Sequence, residues 1–216
     1  MTSPRKHSRA IRAITSLSVG IVALSAVGWL GLGQVSGSLN RTDAFANVKN
    51  RPDKPTSAMT LLLVGSDNRA GLTKAQIREL WVGGTEVAAG ARSDTMLLVH
   101  ISKARDRAVI ISLPRDSLVT IPEHVSSLDK TKMVPARLNK LNAAFSFGGA
   151  PLLIETLEGE TGLRIDHYVE INFLGFTNII DALGGIDICV QKDIDDSKSN
   201  LQLSAGLQTL DGIKAL

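Results

Sequence analysis

The stretch HYVEINFLGFTNIIDALGGIDICV, residues 167–190, decides the fold class. Its first five residues, His167 to Ile171, read as a strand. Asn172 then suits the N-cap of a helix, because its side-chain oxygen can accept from backbone donors that the first helical turn leaves open. Phe173, Phe176, Ile180 and Leu183 recur at spacings of three and four, which puts them on one helical face. Gly184-Gly185 supplies a left-handed stop, and Ile186 to Val190 is a second strand. Strand, helix and strand in such close succession predict an α/β fold, a layered α-β-α domain on a central mixed sheet.

The same pattern extends on both sides. Upstream, Pro151 opens a helix whose Leu153, Ile154 and Leu157 share a face, and Gly159 or Gly162 ends it. Met96 to Ile101 and Val109 to Leu113 are apolar runs joined by the polar turn Ser102 to Arg107, so they pair as a hairpin. Thr60 to Val64 is a buried strand feeding a loop at Gly65-Ser66-Asp67, and Ala75 to Trp81 is the helical part of the long connection that follows. Downstream, Thr209 to Leu216 begins a helix. Cys189 lies within a predicted strand and reads as a small core residue.

Composition limits what such a domain can do. The chain has 216 residues, 44% of them hydrophobic and 21% charged, which excludes a disordered chain. A single cysteine excludes an intramolecular disulfide and a cysteine-based zinc site. Without Arg5, Lys6, Arg9 and Arg12 the chain is close to neutral, 20 basic residues against 21 acidic. With aromatics at 4%, a base-stacking surface or basic groove for nucleic acid is not expected, and a secreted magnesium nuclease is disfavoured for the same reason. His100, His124 and His167 have no motif context, so no serine-histidine-acid arrangement is readable.

The four basic residues form a cytoplasmic tail, 1–13, before Ile14 to Val35, an uncharged apolar stretch. As a helix this stretch spans a hydrocarbon core of roughly 30 Å. The flanking charge predicts a signal anchor at 14–35 with the tail cytoplasmic and the remainder outside. A cleaved signal ending at Ala44-Phe45-Ala46 is the alternative, but it calls for a shorter apolar core and a nearer cleavage site. Residues 36–59, polar and carrying Pro52 and Pro55, read as a linker, leaving 60–216 as one domain.

Chemistry concentrates at predicted strand ends. Asp67 follows the first strand in GSDNR and Asp94 precedes the next in RSDTM; if these strands are neighbours, both carboxylates project from one edge. Two carboxylates with positions left for water and phosphate oxygen suit Mg²⁺ better than a dedicated calcium cage. A turn residue and a strand cap are the alternative uses of these two acids. Arg69 and Arg92 each lie two positions from one of the acids, and Arg115 follows the apolar run in ISLPRDS. Guanidinium groups there suit a phosphate or diphosphate, because the planar fork bonds two oxygens at once. Asp116 either orients Arg115 or caps the following turn. Lys140 and Asn142, in RLNKLNAAFSFGG, can hold a further phosphate oxygen or an acceptor hydroxyl, or simply begin a solvated helix.

The ordered blocks LLLVGSDNR, ARSDTMLLVHI, ISLPRDS, KLNAAFSFGG, VEINFLGFTNIIDALGGIDI and GLQTLDGIKAL resemble the LytR-CpsA-Psr family of cell-wall glycopolymer ligases from about residue 60 to the end. The resemblance implies Mg²⁺-assisted transfer of a glycosyl phosphate from a polyprenyl-diphosphate carrier to a peptidoglycan hydroxyl at the cell membrane. It also implies an apolar tunnel for the lipid. By matching position, Asp67 and Asp94 look like the metal-binding acids. Arg69, Arg92 and Arg115 look like the diphosphate-binding arginines, and Lys140 matches the lysine of the family's KxN block. Asp94 is the candidate general base, with Arg92 and Arg115 grouped beside it as catalytic. The family pattern continues past the LDGxxAL block into a basic RxR segment, whereas the sequence in hand stops at Leu216. A fragment, a shortened product or a form completed by another chain is therefore expected, with part of the sheet uncovered. A non-catalytic polyprenyl-lipid-binding or scaffold protein of the envelope is the alternative function.

Overall fold

The computed structural model describes residues 43–69, 72–80, 93–197 and 201–216. The expected tail, the 14–35 anchor, Trp81 and Arg92 lie outside the described residues. Among the described residues no helix is long and apolar enough to cross a membrane.

A four-stranded mixed sheet carries the domain. Strands β1 (Met59–Ser66), β2 (Ser93–Ile101) and β3 (Ala108–Ser112) form an antiparallel meander, and β8 (His167–Ile171) joins the other side of β1 in parallel, giving the order β3-β2-β1-β8. The expected hairpin is thus β2–β3, closed by the Ser102 N–H donating to the Arg107 carbonyl at 2.9 Å. Alternation along β1 and β2 puts Leu62, Val64, Met96 and Leu98 on one buried face. Against them packs α2 (Leu141–Thr161; α1 is Lys74–Glu79) with Leu153, Ile154 and Leu157. Each such buried side chain contributes about 1.5–3 kcal/mol relative to exposure.

The helix predicted from Pro151 is the second half of α2. Gly149, at φ 65° and ψ −154°, breaks the helical path two residues earlier, a conformation open to glycine because no Cβ clashes there. Pro151 therefore restarts a helix rather than interrupting one. The expected stop is Gly162 at φ 66°, and the predicted Asn172 cap is present, its side-chain oxygen accepting from the Gly175 N–H at 2.8 Å ahead of α3 (Phe173–Ala182).

Three expectations are corrected. The segment read as linker packs onto the body: the compact unit begins at Ala44, which is 2% exposed in the core, with Phe45 and Val48 beside it. Residues 206–210 are a strand, β12 (Gly206–Leu210), paired antiparallel with β9 (Ile186–Val190), so only Gly212–Ala215 form the final helix, α4. Strand pairing with Ile186 to Val190 outweighs helical propensity there. Cys189 is exposed rather than core, because its partner across the ladder is the exposed Leu207 and only Val190 and Leu210 of this ribbon turn inward, against Leu203.

Strands β4 (Leu118–Ile121) and β7 (Arg137–Lys140), and the short β5 (His124–Val125) and β6 (Met133–Val134), form two ribbons lying on α2 through Val119, Ile121 and His124, the last stacked on Phe147 at 5.6 Å. A further ribbon joins β10 (Ile194–Asp196) to β11 (Leu201–Leu203).

The start of α4 rests directly on α3. A Cβ on Gly212 would lie 2.3 Å from the Thr177 carbonyl oxygen and 2.6 Å from its Cα, both unyielding backbone atoms, while the Gly212 N–H donates to Asp181 Oδ1 at 2.7 Å. Gly212→Ala is expected to destabilise by about 1–3 kcal/mol through forced separation of the two helices. Thermal midpoint and amide hydrogen exchange at 212–215 check this, and unchanged values for both refute it.

Candidate functional site

The β1–β2 register brings the two predicted acids to one sheet edge. Gly65 faces Thr95 and Ser66 faces Ser93, so Asp94 is the extra residue of a β-bulge and Asp67 follows the last residue of β1 at the same end. A bulge of this kind bends the strand and re-aims its side chain. Asp94 is exposed, whereas Asp67 and Arg69 are half-buried. The Ser93 hydroxyl is buried with no hydrogen-bond partner among the described residues, leaving a polar group unspent beside Asp94.

A second loop meets this edge. The Leu113 N–H donates to the Met96 carbonyl at 2.9 Å, carrying the chain from β3 into Pro114-Arg115-Asp116-Ser117, which turns on a Ser117 N–H to Pro114 carbonyl bond of 3.0 Å. The start of α2 docks on this turn: Leu141 N–H donates to the Ser117 carbonyl at 2.9 Å and Asn142 N–H to the Arg115 carbonyl at 3.0 Å. The Asn142 backbone thereby helps to fix the loop that carries Arg115.

The side chains form an alternating line of charge. Arg115 Nη1 donates to Asp94 Oδ1 at 2.6 Å, Arg115 Nε lies 3.7 Å from Asp116 Oδ2, and Lys140 Nζ donates to Asp116 Oδ1 at 2.7 Å. The bond to Asp94 is the main cause raising the Arg115 pKa above its ordinary value, and the Lys140 ammonium is the main cause holding Asp116 below the usual carboxylate range. All these groups are exposed and so accessible to a ligand.

The structure therefore gathers Asp94, Arg115 and Lys140 in one network and places Asp67 and Arg69 at the same end of the sheet. Of the two roles weighed for Asp116, the structure supports the orienting one, since it contacts both cations. The link to Lys140 has no local sequence signature; it comes from the pairing of Leu118 with Lys140 across β4–β7, which returns position 140 to the turn that carries Asp116. Among the described residues no group of three or more His, Cys, Asp or Glu side chains gathers to hold a metal unaided. The donors at this edge are carboxylate oxygens, a hard set that fits a Mg²⁺ ion keeping water among its ligands.

The chain is similar in sequence and in fold to known proteins. The chain is 38% identical over 203 residues to a probable cell wall biosynthesis protein, LcpB of Corynebacterium glutamicum, covering 93% of this chain and 43% of that one. It is 32% identical over 132 residues to the polyisoprenyl-teichoic acid–peptidoglycan teichoic acid transferase TagT of Bacillus subtilis, covering 58% and 37%. The chain thus spans less than half the length of these two relatives. A solved structure of the LytR-CPS2A-psr family protein YwtF (TagT) with bound octaprenyl pyrophosphate lipid superposes with a TM-score of 0.53 at 25% identity, covering 82% of this chain and 58% of that one. The profile of the LytR_cpsA_psr family matches residues 33–216, and the chain belongs to that family.

Proposed function

We propose that the chain transfers a glycosyl phosphate from a polyprenyl-diphosphate carrier to a hydroxyl of peptidoglycan, outside the cytoplasmic membrane to which residues 14–35 anchor it. The observation that carries this reading is the network Asp94–Arg115–Asp116–Lys140 at the sheet edge that also ends in Asp67. Relatives named as teichoic acid transferases and a neighbour with bound octaprenyl pyrophosphate support the substrate class.

Asp67 and Asp94 would hold Mg²⁺, which supplies positive charge to the diphosphate oxygens when bound. Arg115 and Lys140 bind phosphate oxygens, and Arg69 and Arg92 serve the same anion. The acceptor hydroxyl oxygen bonds to the sugar-linked phosphorus as the bond from that phosphorus to the bridging oxygen breaks. Polyprenyl phosphate leaves with the electron pair, and the arginines stabilise the charge that develops on it. Asp94, at the edge where the hydroxyl approaches, accepts its proton.

The test is release of polyprenyl phosphate by the full-length chain from a lipid-diphosphate glycan. Release is expected to stop on chelation and to return with Mg²⁺. Lipid binding without release, with or without Mg²⁺, overturns the enzymatic reading in favour of a binding protein.

A further inference from the structure

We propose that Asp116 is a positioning residue that sets the spacing between the Arg115 guanidinium and the Lys140 ammonium, so that both meet one diphosphate group. This rests on the diphosphate site proposed above. The two cations come from different segments, the loop after β3 and the end of β7, and each sits on a long flexible side chain. Asp116 is the acid between them, accepting from Lys140 Nζ at 2.7 Å with Oδ1 while Oδ2 lies 3.7 Å from Arg115 Nε. Its own backbone is fixed by the Ser117-to-Pro114 turn and by the two bonds from the start of α2 to Ser117 and Arg115.

Charge alone makes Asp116 a poor occupant of such a site, because a carboxylate repels a diphosphate. Stability does not account for it either, since ion pairs this exposed contribute little. What the carboxylate does supply is order. A lysine is a mobile point charge, and restraining it before the ligand arrives lowers the ordering cost of binding. Arg115 is restrained likewise, with Nη1 on Asp94 and Nε beside Asp116, which leaves Nη2 for an incoming oxygen.

The two accounts predict opposite signs. If Asp116 is only a surface acid, Asp116→Ala makes the site more cationic and tightens binding of inorganic pyrophosphate. If it positions the cations, Asp116→Ala weakens that binding, by about 5- to 10-fold on preorganisation grounds, and Asp116→Glu restores most of the loss. Calorimetric titration of the full-length chain with pyrophosphate in Mg²⁺ buffer reads this directly, with an unchanged thermal midpoint excluding misfolding. Tighter or unchanged binding in Asp116→Ala overturns the positioning role. Arg115→Ala in the same titration separates the two levels. If it weakens pyrophosphate binding while Asp116→Ala does not, only the positioning role fails. If it leaves binding intact, the diphosphate site itself fails and this inference with it.

Discussion

Arg51→Ala is expected to destabilise the domain by about 3 kcal/mol, because it strands a buried carboxylate. Glu158 on α2 is 2% exposed and receives Arg51 Nη2 at 2.7 Å and Nε at 3.1 Å. The same guanidinium donates to the Ile165 carbonyl and lies 4.6 Å over the Phe45 ring, and the Ile165 N–H donates to Glu158 Oε1 at 2.8 Å. One arginine thereby ties the segment after Ala44 to both α2 and the chain leading into β8. The bond to Glu158 is the main cause raising the Arg51 pKa, so the cation persists at any ordinary pH. For a unit of this size the expected loss corresponds to a fall of roughly 6–12 °C in melting midpoint. The stranded-charge account has a further consequence: Arg51→Ala with Glu158→Gln should be more stable than Arg51→Ala alone, because the amide removes the charge while still accepting from Ile165. A double variant no better than the single one shows that the loss comes from packing on Phe45 instead.

Nothing near Arg51 in the sequence announces this role. The segment has no strand or helix periodicity, and Arg51 stands 107 residues from its partner. Lys54 on Asp166 at 2.7 Å and Arg164 on the Pro52 carbonyl at 3.2 Å are equally remote pairings. Burial pushes the Asp166 carboxyl up, but the bonds from Lys54 Nζ and the Thr60 N–H outweigh it and hold the group below its ordinary value. Contacts of this kind are set by the tertiary fold, so local pattern reading assigns the segment to a linker.

The sheet was legible for the opposite reason. Thr60 to Val64 and Met96 to Ile101 are apolar runs ended by polar loops, which makes both strands readable, while their antiparallel pairing is a condition that the sequence leaves open and the structure fulfils. That pairing alone brings Asp67 and Asp94 to one edge, whereas the bulge at Asp94 has no signature in RSDTM. The ribbons from β4 to β7 carry no comparable signal, because LVTI and RLNK are four-residue runs, with Pro122 and Pro135 close by and no turn signal of the usual hairpin kind. Exposed Cys189 shows the same limit: a strand pattern says which residues alternate, not whether a second layer covers them.

Arg115→Ala is expected to lower turnover by about 10²–10³-fold, the cost of removing one preorganised group aimed at developing charge, roughly 2.7–4 kcal/mol of barrier. The side chain stands at the junction of the site, 2.6 Å from Asp94 and 3.7 Å from Asp116, on a loop fixed by backbone bonds to both the sheet and α2. Its loss should leave the melting midpoint nearly unchanged, since so exposed an ion pair contributes little to stability. Arg115→Lys keeps the charge but not the planar fork, so it should fall between wild type and Arg115→Ala. The defect should appear in kcat as well as in affinity, because Arg115 binds the diphosphate in the ground state and meets still more charge as the leaving phosphate departs. A variant that loses affinity alone, with kcat intact, would mean that Arg115 grips the ground state and that the burden of the transition state lies on the aspartate edge.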